Sequence, residues 1–433
     1  MRFSQTFRTS GWHCQLSTNG GFIASAHQHQ LVVRRSETGE IVQSFTCDDA
    51  IEKIAWSPDS EYLLCALYKR CRVQIFSLTD CDWKCRITEG TSGLIDALWC
   101  PDSRHILTIG EFYACVSVWS LVNCSVLYIH NVKSTASPAL SFSPDGSYLA
   151  VIEDHGSTSK ISFFDPAAWK LIKHVSCDDF LGVGGMSWSP NGSTLCLWDN
   201  KRHQCSVKLF CMETGSWIGQ YKHNCLGVKV VAWSPSGQLL AIGCWDGTVL
   251  LLNYITWEPL VVIKHSNELS GSDCAIYRQP VDKEKTDVSY STEVVKYRPV
   301  TVIPLAWDKG GDSWKNRGVG VLNFSSCGSW LVTRDDSMPA LAWVWDLNGC
   351  LVSAVIHNEP ITGMIWDPQK PCLLSTTNTS TITILNVTKG AKCMTVPNGS
   401  ALGEVLVKRI LCDPFGRYAV LVGRTRFVIL YSK

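Results

Sequence analysis

An aromatic or leucine residue followed by a short polar turn recurs nine times in this sequence, at nearly equal intervals except for one long gap. In the clearest copy an apolar run ends at Trp233, a Ser-Pro-Ser-Gly turn follows at 234–237, and a second apolar run begins. A tight turn at Asp246-Gly247 then leads into Thr248–Asn253, so three short strands are predicted in succession. One such unit cannot bury both faces of its sheet, and it must therefore stack on copies of itself. The nine copies place these residues at the position of Trp233: Leu16, Trp56, Trp99, Phe142, Trp188, Trp233, Phe324, Trp366 and Leu411.

The copies are spaced by 40–46 residues, apart from a gap of 91 residues between the sixth and the seventh. A period of about 40–45 residues with four short strands per repeat is typical of WD-type propeller blades. The third predicted strand of several repeats ends in an aromatic residue and Asp or Ser, as at Phe76-Ser77, Trp119-Ser120 and Trp345-Asp346. The Gly-His pair of strong WD repeats is missing from almost every copy. The sequence therefore predicts an all-β WD-repeat β-propeller with about nine blade-like repeats.

The two ends of the chain complement each other. Residues 3–7 are strand-like but belong to no repeat, whereas Arg426–Tyr431 is the third strand of the last repeat. We expect the N-terminal strand to complete the last blade, because this pairing removes an exposed sheet edge. The repeats allow one nine-bladed ring, which the complementary ends favour, or seven blades with two more.

The predicted organisation has three parts: repeats one to six with the closing strand at 1–264, an insertion at 265–317, and repeats seven to nine at 318–433. The insertion is polar and contains one strand-like piece at 299–303. A Trp-Asp pair lies within 306–310, too close to Phe324 to begin another repeat. Loops of this length are usually functional or disordered. A flexible loop is favoured here over a binding element.

Composition argues against nucleic acid and membrane as partners. The net charge is +1 and only 18% of the residues are charged, so no basic field attracts nucleic acid or anionic lipid. The first 11 residues lack the apolar core of a signal peptide, and no run of about 18 apolar residues occurs. We expect a cytoplasmic protein that neither binds nucleic acid nor inserts into a membrane.

The chain contains 21 cysteines, which we interpret as reduced thiols acting as small hydrophobic side chains within strands. Cys65, Cys115 and Cys211 are examples. No Cys-x-x-Cys motif occurs, and Cys81 and Cys85 lack a second pair of ligands. The sequence therefore predicts no metal site, and nothing in it indicates a cofactor.

Catalysis would require a nucleophile with a base, paired carboxylates or a metal set that converge on one pocket. His27 and His29 share one turn without a third ligand. The glycines at 182–185 join a strand to a strand, whereas a phosphate cradle joins a strand to a helix. Paired loop acids such as Asp335-Asp336 are usually solvated or bonded to backbone N–H groups. A non-enzymatic protein is predicted.

Binding is the favoured function, because the loops of a propeller form broad, rigid surfaces. Loops between the second and third strands of several repeats carry charged or aromatic residues. An alternative is that Arg334 and its neighbouring acids pair only with one another. The predicted partner-binding residues are Tyr68, Lys69, Arg70, Glu111, Phe112, Arg334, Asp335 and Asp336.

Several segments are more specific than any WD pattern. They are 68–70, Glu89-Gly90 with Gly93-Leu94, 104–107 with Glu111-Phe112, 119–121, 333–336 with Pro339, 343–347 and 366–369. Across essentially the whole chain they closely resemble the family of the WD-repeat protein encoded antisense to tumour protein seventy-three (WD repeat-containing protein eight), a centrosomal and spindle-pole family. This sequence differs from that family mainly in the insertion and near the C-terminus.

The resemblance implies a non-enzymatic adaptor at centrosomes, other microtubule-organising centres and spindle poles. The implied partners are a coiled-coil anchoring factor of the synovial sarcoma X breakpoint-interacting type, the γ-tubulin complex and a minus-end-directed kinesin. The implied roles are microtubule minus-end anchoring, mitotic spindle organisation and early ciliogenesis.

Two other functions remain as alternatives. Substrate receptors of ubiquitin ligases often carry Trp-Asp-x-Arg after a third strand, but here Trp345-Asp346 is followed by Leu347-Asn348. A translation-factor propeller would favour ribosome or RNA contact, which the near-neutral charge argues against.

Overall fold

The structure, a computed structural model, describes residues 2–90, 93–111, 115–133, 136, 138–154, 159–177, 180, 182–199, 204–270, 274–280, 289–305, 317–397 and 404–432. Their regular structure is β-strand, together with a turn of 3₁₀-helix at Tyr68–Arg70. Within these ranges no helix has the length and hydropathy needed to cross a bilayer.

The strands follow one another as short antiparallel ladders. The first are β1 (Arg2–Phe3), β2 (Phe7–Arg8), β3 (Cys14–Leu16), β4 (Phe22–His27), β5 (Gln30–Arg35), β6 (Ile41–Thr46), β7 (Lys53–Trp56), β8 (Tyr62–Leu67), β9 (Arg72–Ser77), β10 (Lys84–Thr88), β11 (Asp96–Trp99), β12 (His105–Ile109), β13 (Cys115–Ser120) and β14 (Val126–His130). Next are β15 (Leu140–Phe142), β16 (Leu149–Asp154), β17 (Ser159–Asp165), β18 (Lys170–Ser176), β19 (Val183–Trp188), β20 (Thr194–Asp199), β21 (Cys205–Cys211), β22 (Ser216–His223), β23 (Val228–Trp233), β24 (Leu239–Cys244), β25 (Thr248–Asn253), β26 (Pro259–Lys264), β27 (Glu268–Leu269) and β28 (Ala275–Arg278). The last are β29 (Ser289–Ser291), β30 (Glu293–Val294), β31 (Val300–Thr301), β32 (Val319–Phe324), β33 (Trp330–Asp335), β34 (Leu341–Asp346), β35 (Leu351–Ile356), β36 (Gly363–Trp366), β37 (Cys372–Thr376), β38 (Thr381–Asn386), β39 (Gly390–Thr395), β40 (Val407–Cys412), β41 (Tyr418–Gly423) and β42 (Arg426–Tyr431).

The strands divide into two compact units, Met1–Phe180 with Asn398–Lys433, and Leu181–Pro397. The first unit contains sheets one to four (β3–β6, β7–β10, β11–β14, β15–β18) and sheet nine (β40–β42 with β1 and β2). The second unit contains sheets five to eight (β19–β22, β23–β26, β32–β35, β36–β39). Within each unit, apolar side chains of neighbouring sheets meet in shared cores, as Leu31 and Leu63 do between sheets one and two of the first unit. The all-β WD-repeat β-propeller fold with nine blade-like repeats is confirmed.

The polar turn of each repeat is held by its own side chains. Ser57 Oγ accepts the Tyr62 N–H at 2.9 Å, and Asp59 Oδ1 accepts the Glu61 N–H at 3.0 Å. Ser60 takes a positive φ of 63°, and Gly237 takes 72° at the same place in the sixth repeat. The turn therefore favours a hydrogen-bonding side chain at its first position and a residue that tolerates left-handed backbone at its fourth, which explains why Ser and Gly recur there.

In four repeats the recurring tryptophan bonds the preceding repeat of the same unit. Its indole N–H donates to a backbone carbonyl in the first strand of the preceding sheet. The pairs are Trp56 to Gln15 (3.2 Å), Trp99 to Ala55 (3.1 Å), Trp233 to Ser187 (3.4 Å) and Trp366 to Asn323 (3.2 Å). Tryptophan thus supplies apolar area and a directional bond between neighbouring sheets, because its ring is large and its N–H needs an acceptor when buried.

The N-terminal strands complete sheet nine, as predicted. Arg2 and Phe3 of β1 pair with Tyr431 and Leu430 of β42, and Phe7 of β2 pairs with Phe427. The Ser4 side chain adds a bond by accepting the Ile429 N–H at 2.9 Å. The edge of β42 is therefore covered by the opposite end of the chain.

The insertion is ordered where the structure describes it, so the interpretation as a flexible loop is wrong for those parts. Strand β28 pairs in parallel with β35, the outer strand of sheet seven, and β29 pairs antiparallel with β39, the outer strand of sheet eight. The predicted piece at 299–303 contains β31, which pairs with β27. A strand added to an exposed edge gains backbone hydrogen bonds and needs few apolar residues, so the polar composition was misleading. The stretch 306–316 lies outside the described residues.

Candidate functional site

In the first unit, three of the predicted partner-binding residues lie together between β8 and β9, where Tyr68–Arg70 forms the 3₁₀ turn. The turn ends at Cys71, which has a left-handed backbone (φ 50°) and donates its N–H to the Tyr68 carbonyl at 2.9 Å. Lys69 and Arg70 are exposed at the tip, whereas Tyr68 packs against the core between sheets two and three.

Tyr68 is anchored inside its unit. Its hydroxyl donates to Asp96 Oδ1 at 3.2 Å, and the Lys53 ammonium binds that oxygen at 2.5 Å. Burial, followed by the nearby Asp96 carboxylate, raises the pKa of the Tyr68 hydroxyl, which therefore remains a protonated donor. Tyr68 links the turn to the start of β11, and its ring presents only part of its surface to a partner.

Lys69 and Arg70 offer the exposed positive charge of this turn. The Arg70 side chain is 63% exposed and donates from Nε to Asp49 Oδ2 at 2.7 Å. The Lys69 backbone N–H donates to the Glu52 carboxylate at 3.1 Å, which leaves its ammonium outside that bond. Hydrogen bonding from Arg70 holds the pKa of Asp49 below its ordinary value. An exposed ion pair of this kind is weak, so a carboxylate of a partner can replace Asp49 at little cost.

Glu111 is exposed on the loop after β12 and rests against Gly93. A Cβ added at Gly93, whose φ is +68°, would come within 2.6 Å of the Glu111 Cγ. The positive φ therefore favours glycine at 93, whereas the exposed Glu111 side chain is free to move away from a larger residue. Phe112 lies outside the described residues.

The remaining predicted residues belong to the second unit, where Arg334 is mostly committed to local bonds. Its side chain is 18% exposed, and its Nη2 binds Asp336 Oδ1 at 2.6 Å while Nη1 donates to the Ile361 carbonyl at 2.6 Å. Lys229 binds the other Asp336 oxygen at 2.6 Å. The alternative of local pairing thus holds for Arg334 and Asp336. The chain of bonds connects β23, β33 and the segment before β36.

Asp335 is buried, with 5% of its surface exposed. Its Oδ1 accepts the N–H and the hydroxyl of Ser337 at 2.7 and 2.6 Å. Its Oδ2 lies so close to Gly247 that a Cβ there would approach it to 2.6 Å. Asp335 therefore holds the loop in place and offers little surface to a partner. Partner binding at any of the eight predicted residues stays a prediction.

Sequence reasoning missed a polar triad that recurs inside the sheets. In sheet seven, Thr333 Oγ1 accepts the Trp345 indole N–H at 2.8 Å and lies 2.7 Å from His265 Nε2. The other ring nitrogen of His265 lies 2.6 Å from the Gly247 carbonyl. These bonds join β33, β34 and the residue that follows β26.

Sheet three contains the same triad with a carboxylate in place of the imidazole. Thr108 Oγ1 accepts the Trp119 N–H at 2.8 Å, and the Thr108 hydroxyl bonds Glu89 Oε1. The register places Thr108 and Trp119 where sheet seven has Thr333 and Trp345. Glu89 and His265 each follow directly after the fourth strand of the preceding sheet. In the sequence, the third member of the triad can be found as the polar residue directly after a predicted fourth strand. A search for the Gly-His pair of WD repeats does not find His265, because Lys264 precedes it.

His357 follows β35 in the corresponding place and is 4% exposed. Its Nε2 lies 3.2 Å from Ser375 Oγ, and burial lowers its pKa from 6.5 to about 4. The folded chain disfavours the protonated His357 imidazole. The contribution of neutral His357 to the free energy of unfolding is therefore fully present above pH 6.5 and falls as the pH drops toward 4. We expect a loss of about 2.5 kcal/mol between pH 7 and 4.5, at about 1.4 kcal/mol per unit below 6.5.

The check is urea unfolding at both pH values for wild type and His357→Asn. The asparagine variant should lose most of the pH difference that His357 causes. His29→Asn, at an exposed position, serves as the matched control and should retain it. An unchanged pH difference in His357→Asn would contradict the assignment.

One serine–histidine pair among the described residues lies at hydrogen-bonding distance but lacks the arrangement of a catalytic triad. Ser162 Oγ lies 2.6 Å from His174 Nδ1, but Ser162 is fully buried and the Glu153 carboxylate approaches that same nitrogen at 3.9 Å. A triad requires the acid at the opposite ring nitrogen.

The glycines at 182–185 enter β19 and so join strands, as predicted. One group in the described ranges has metal-ligand geometry, formed by Cys205, Cys225 and Cys244.

Comparison with known proteins places the repeats in context. The model of the family described as "WD40: WD domain, G-beta repeat" matches residues 215–253, which contain β22–β25 and the turn after Trp233. WD repeat-containing protein WRAP73 of Mus musculus is 36% identical over 405 residues, which cover 88% of this chain and 86% of that protein. The chain belongs to the WRAP73 family.

Relatives outside the WRAP73 family match shorter parts of the chain. The serine-threonine kinase receptor-associated protein of Gallus gallus is 26% identical over 214 residues, covering 49% of this chain and 55% of that protein. The putative BTB/POZ domain and WD-repeat protein R61 of Acanthamoeba polyphaga mimivirus is 23% identical over 254 residues, covering 55% and 48%. The match to WRAP73, by contrast, extends over most of both chains.

For this WRAP73-family protein, burial separates the seven predicted residues that the structure describes into two groups. Lys69, Arg70 and Glu111 are exposed on loops of the first unit. Tyr68, Arg334, Asp335 and Asp336 are engaged in bonds that hold loops in place. Lys69, Arg70 and Glu111 are therefore accessible to a partner, and binding there stays a prediction.

Proposed function

We propose that this protein is a non-enzymatic scaffold of the cytoplasm and cytoskeleton that works at centrosomes, other microtubule-organising centres and spindle poles. It binds a coiled-coil anchoring factor and the γ-tubulin complex, and through them supports minus-end anchoring, spindle organisation and ciliogenesis. The observation that carries the proposal is the match to WRAP73 across most of both chains. The pole-associated role and the partners are those implied by the family resemblance.

The exposed tip at Lys69 and Arg70 suits a partner of this chemistry. Coiled-coil helices present rows of charged side chains beside their apolar seam, including many carboxylates. Lys69 and Arg70 lie on a backbone fixed by the Cys71 turn, so their positions are set by the scaffold. Replacement of Asp49 by a helix carboxylate conserves the number of ion pairs at Arg70. Charge complementarity of this kind sets orientation and association rate more than total affinity.

The test is affinity purification of the tagged protein from dividing cells. We expect wild type to recover a coiled-coil pole protein and γ-tubulin, and Lys69→Glu with Arg70→Glu to reduce recovery by at least about tenfold, because like charges then face each other. The matched control is Lys389→Glu with Lys392→Glu, which makes the same charge change at exposed positions of the second unit. The control should recover both partners.

Each other outcome is informative. Equal recovery by the charge-reversed variant and wild type would keep the scaffold role and reject this surface. Equal loss in both variants would show a response to net charge. Recovery of ligase subunits or ribosomes in place of pole proteins would reject the proposed function.

A further inference from the structure

Three cysteines far apart in the sequence meet at one edge of sheets five and six. Cys205 is the first residue of β21, Cys244 is the last residue of β24, and Cys225 lies in the loop between β22 and β23. Their three sulfur atoms all lie within 4.8 Å of one another, and the Cys225 and Cys244 sulfurs are 3.3 Å apart. Cys205 and Cys244 are fully buried, whereas Cys225 is partly exposed.

The backbone holds the cluster in place. Cys205 pairs with His223 across β21 and β22, and Val228 pairs with Cys244 across β23 and β24, so both ladders end at this edge. The Cys225 N–H donates to the His223 carbonyl at 3.0 Å, and the Trp245 N–H donates to the carbonyl of Leu226 at 3.1 Å. The loop is thereby fixed above the strand ends, with the sulfur of Cys225 aimed at the other two.

We infer that Cys205, Cys225 and Cys244 form a zinc site in which three thiolates bind the ion and a solvent molecule takes the fourth position. Thiolates are the ligands that Zn²⁺ prefers in structural sites, at about 2.3 Å from the metal, so tetrahedral sulfurs lie about 3.8 Å apart. The Cys225–Cys244 sulfur distance of 3.3 Å and the limit of 4.8 Å on every sulfur pair are compatible with that value after small side-chain movements. The partial exposure of Cys225 provides both an entry path and room for the solvent ligand.

A cysteine binds Zn²⁺ as its thiolate, so each of the three thiols must lose its proton on binding. Binding of Zn²⁺ therefore forms three Zn–S bonds and releases the three thiol protons to solvent.

An ion here would cross-link two sheets with a loop. Cys205 belongs to sheet five and Cys244 to sheet six, and both side chains lie in the core that these sheets share. Because the three ligands are brought together only by folding, binding stabilises the folded state alone. The inference does not depend on the proposed scaffold function.

The test uses the purified full chain, reduced and freed of metal with a chelator, with Co²⁺ as a spectroscopic probe for Zn²⁺. We expect wild type to bind about one equivalent of Co²⁺ with thiolate charge-transfer absorption, and Zn²⁺ to displace it. Cys225→Ser should weaken binding by more than about 100-fold, because changes behind a metal ligand already cost about 10–100-fold. Cys211→Ser, a control at the opposite end of β21 with the same partial burial, should bind as wild type does.

A second readout is thermal unfolding. Zn²⁺ should raise the melting temperature of wild type and of Cys211→Ser, but leave that of Cys225→Ser unchanged. Absence of thiolate absorption in wild type, or equal binding by Cys225→Ser, would overturn the inference. A Cys225–Cys244 disulfide, found by peptide mass mapping after acid quenching of cells, would also overturn it.

Discussion

Replacing Trp343 with alanine is expected to lower the free energy of unfolding by about 3–5 kcal/mol. Trp343 lies in β34, is fully buried, and is the largest fully buried side chain in the described residues. Its ring packs against the His265 ring at a centroid distance of 4.5 Å, and it belongs to the core between sheets six and seven. Removal leaves a cavity that the flanking strands cannot close, because both are fixed by ladders.

Trp343→Phe provides the matched control. The Trp343 indole N–H has no hydrogen-bond partner among the described residues, so the smaller ring removes an unsatisfied donor while keeping most of the apolar contact. We expect less than half of the alanine effect. Guanidinium unfolding followed by far-ultraviolet circular dichroism measures both variants, and hydrogen exchange should localise the loss to β33–β35. Equal loss in both variants would mean that ring volume is not what stabilises this core.

Replacing Phe7 with alanine is expected to destabilise the first unit by about 3–5 kcal/mol. Phe7 is 5% exposed and stacks on Phe427 at a centroid distance of 5.1 Å. The Arg34 guanidinium lies 4.6 Å from the Phe7 ring centre, and a Cβ at Gly39 would approach that ring to 2.7 Å. Through these contacts Phe7 packs the short β2 against sheet nine and against the turn between β5 and β6. Its loss should release the N-terminal strands from β42.

The measurement is hydrogen exchange of peptides covering β2 and β42, together with the melting temperature. We expect faster exchange in both strands and a melting temperature lower by roughly 10 °C. Phe7→Leu retains apolar contact and should lose less than half as much. Phe415→Ala removes an aromatic ring that is 60% exposed and should change neither readout. Unaltered exchange in β42 would show that β2 does not stabilise this edge.

The candidate surface illustrates how far residue type alone can be misleading. Tyr68, Arg334 and Asp335 look like contact residues in the sequence, because aromatic and charged loop residues commonly bind partners. The structure shows that each is bonded within its unit, to Asp96, Asp336 and Ser337 respectively. Lys69 and Arg70 have the same character in the sequence but remain exposed. Burial and bonding partners separate the two groups, and neither can be read from a short segment.

The local pattern by itself determined the repeats, their number and the closing strand. The turn after Trp56 requires hydroxyl and left-handed positions within five residues, and the tryptophan then bonds the preceding repeat. These requirements are local, or recur at a fixed period, so they are visible in one sequence. The same holds for the strand-like residues at 3–7, whose partner was recognisable as an incomplete last repeat.

Only the tertiary structure decided which distant residues meet. Glu89 replaces an imidazole in one triad because it occupies the same place as His265, although nothing in its own segment distinguishes it from a surface acid. The insertion docks on outer strands through backbone hydrogen bonds, which leave no side-chain pattern. Cys225 converges with two thiols about 20 residues away on either side. In each case the contact depends on strand register and sheet stacking, which are properties of the folded chain and not of any single stretch.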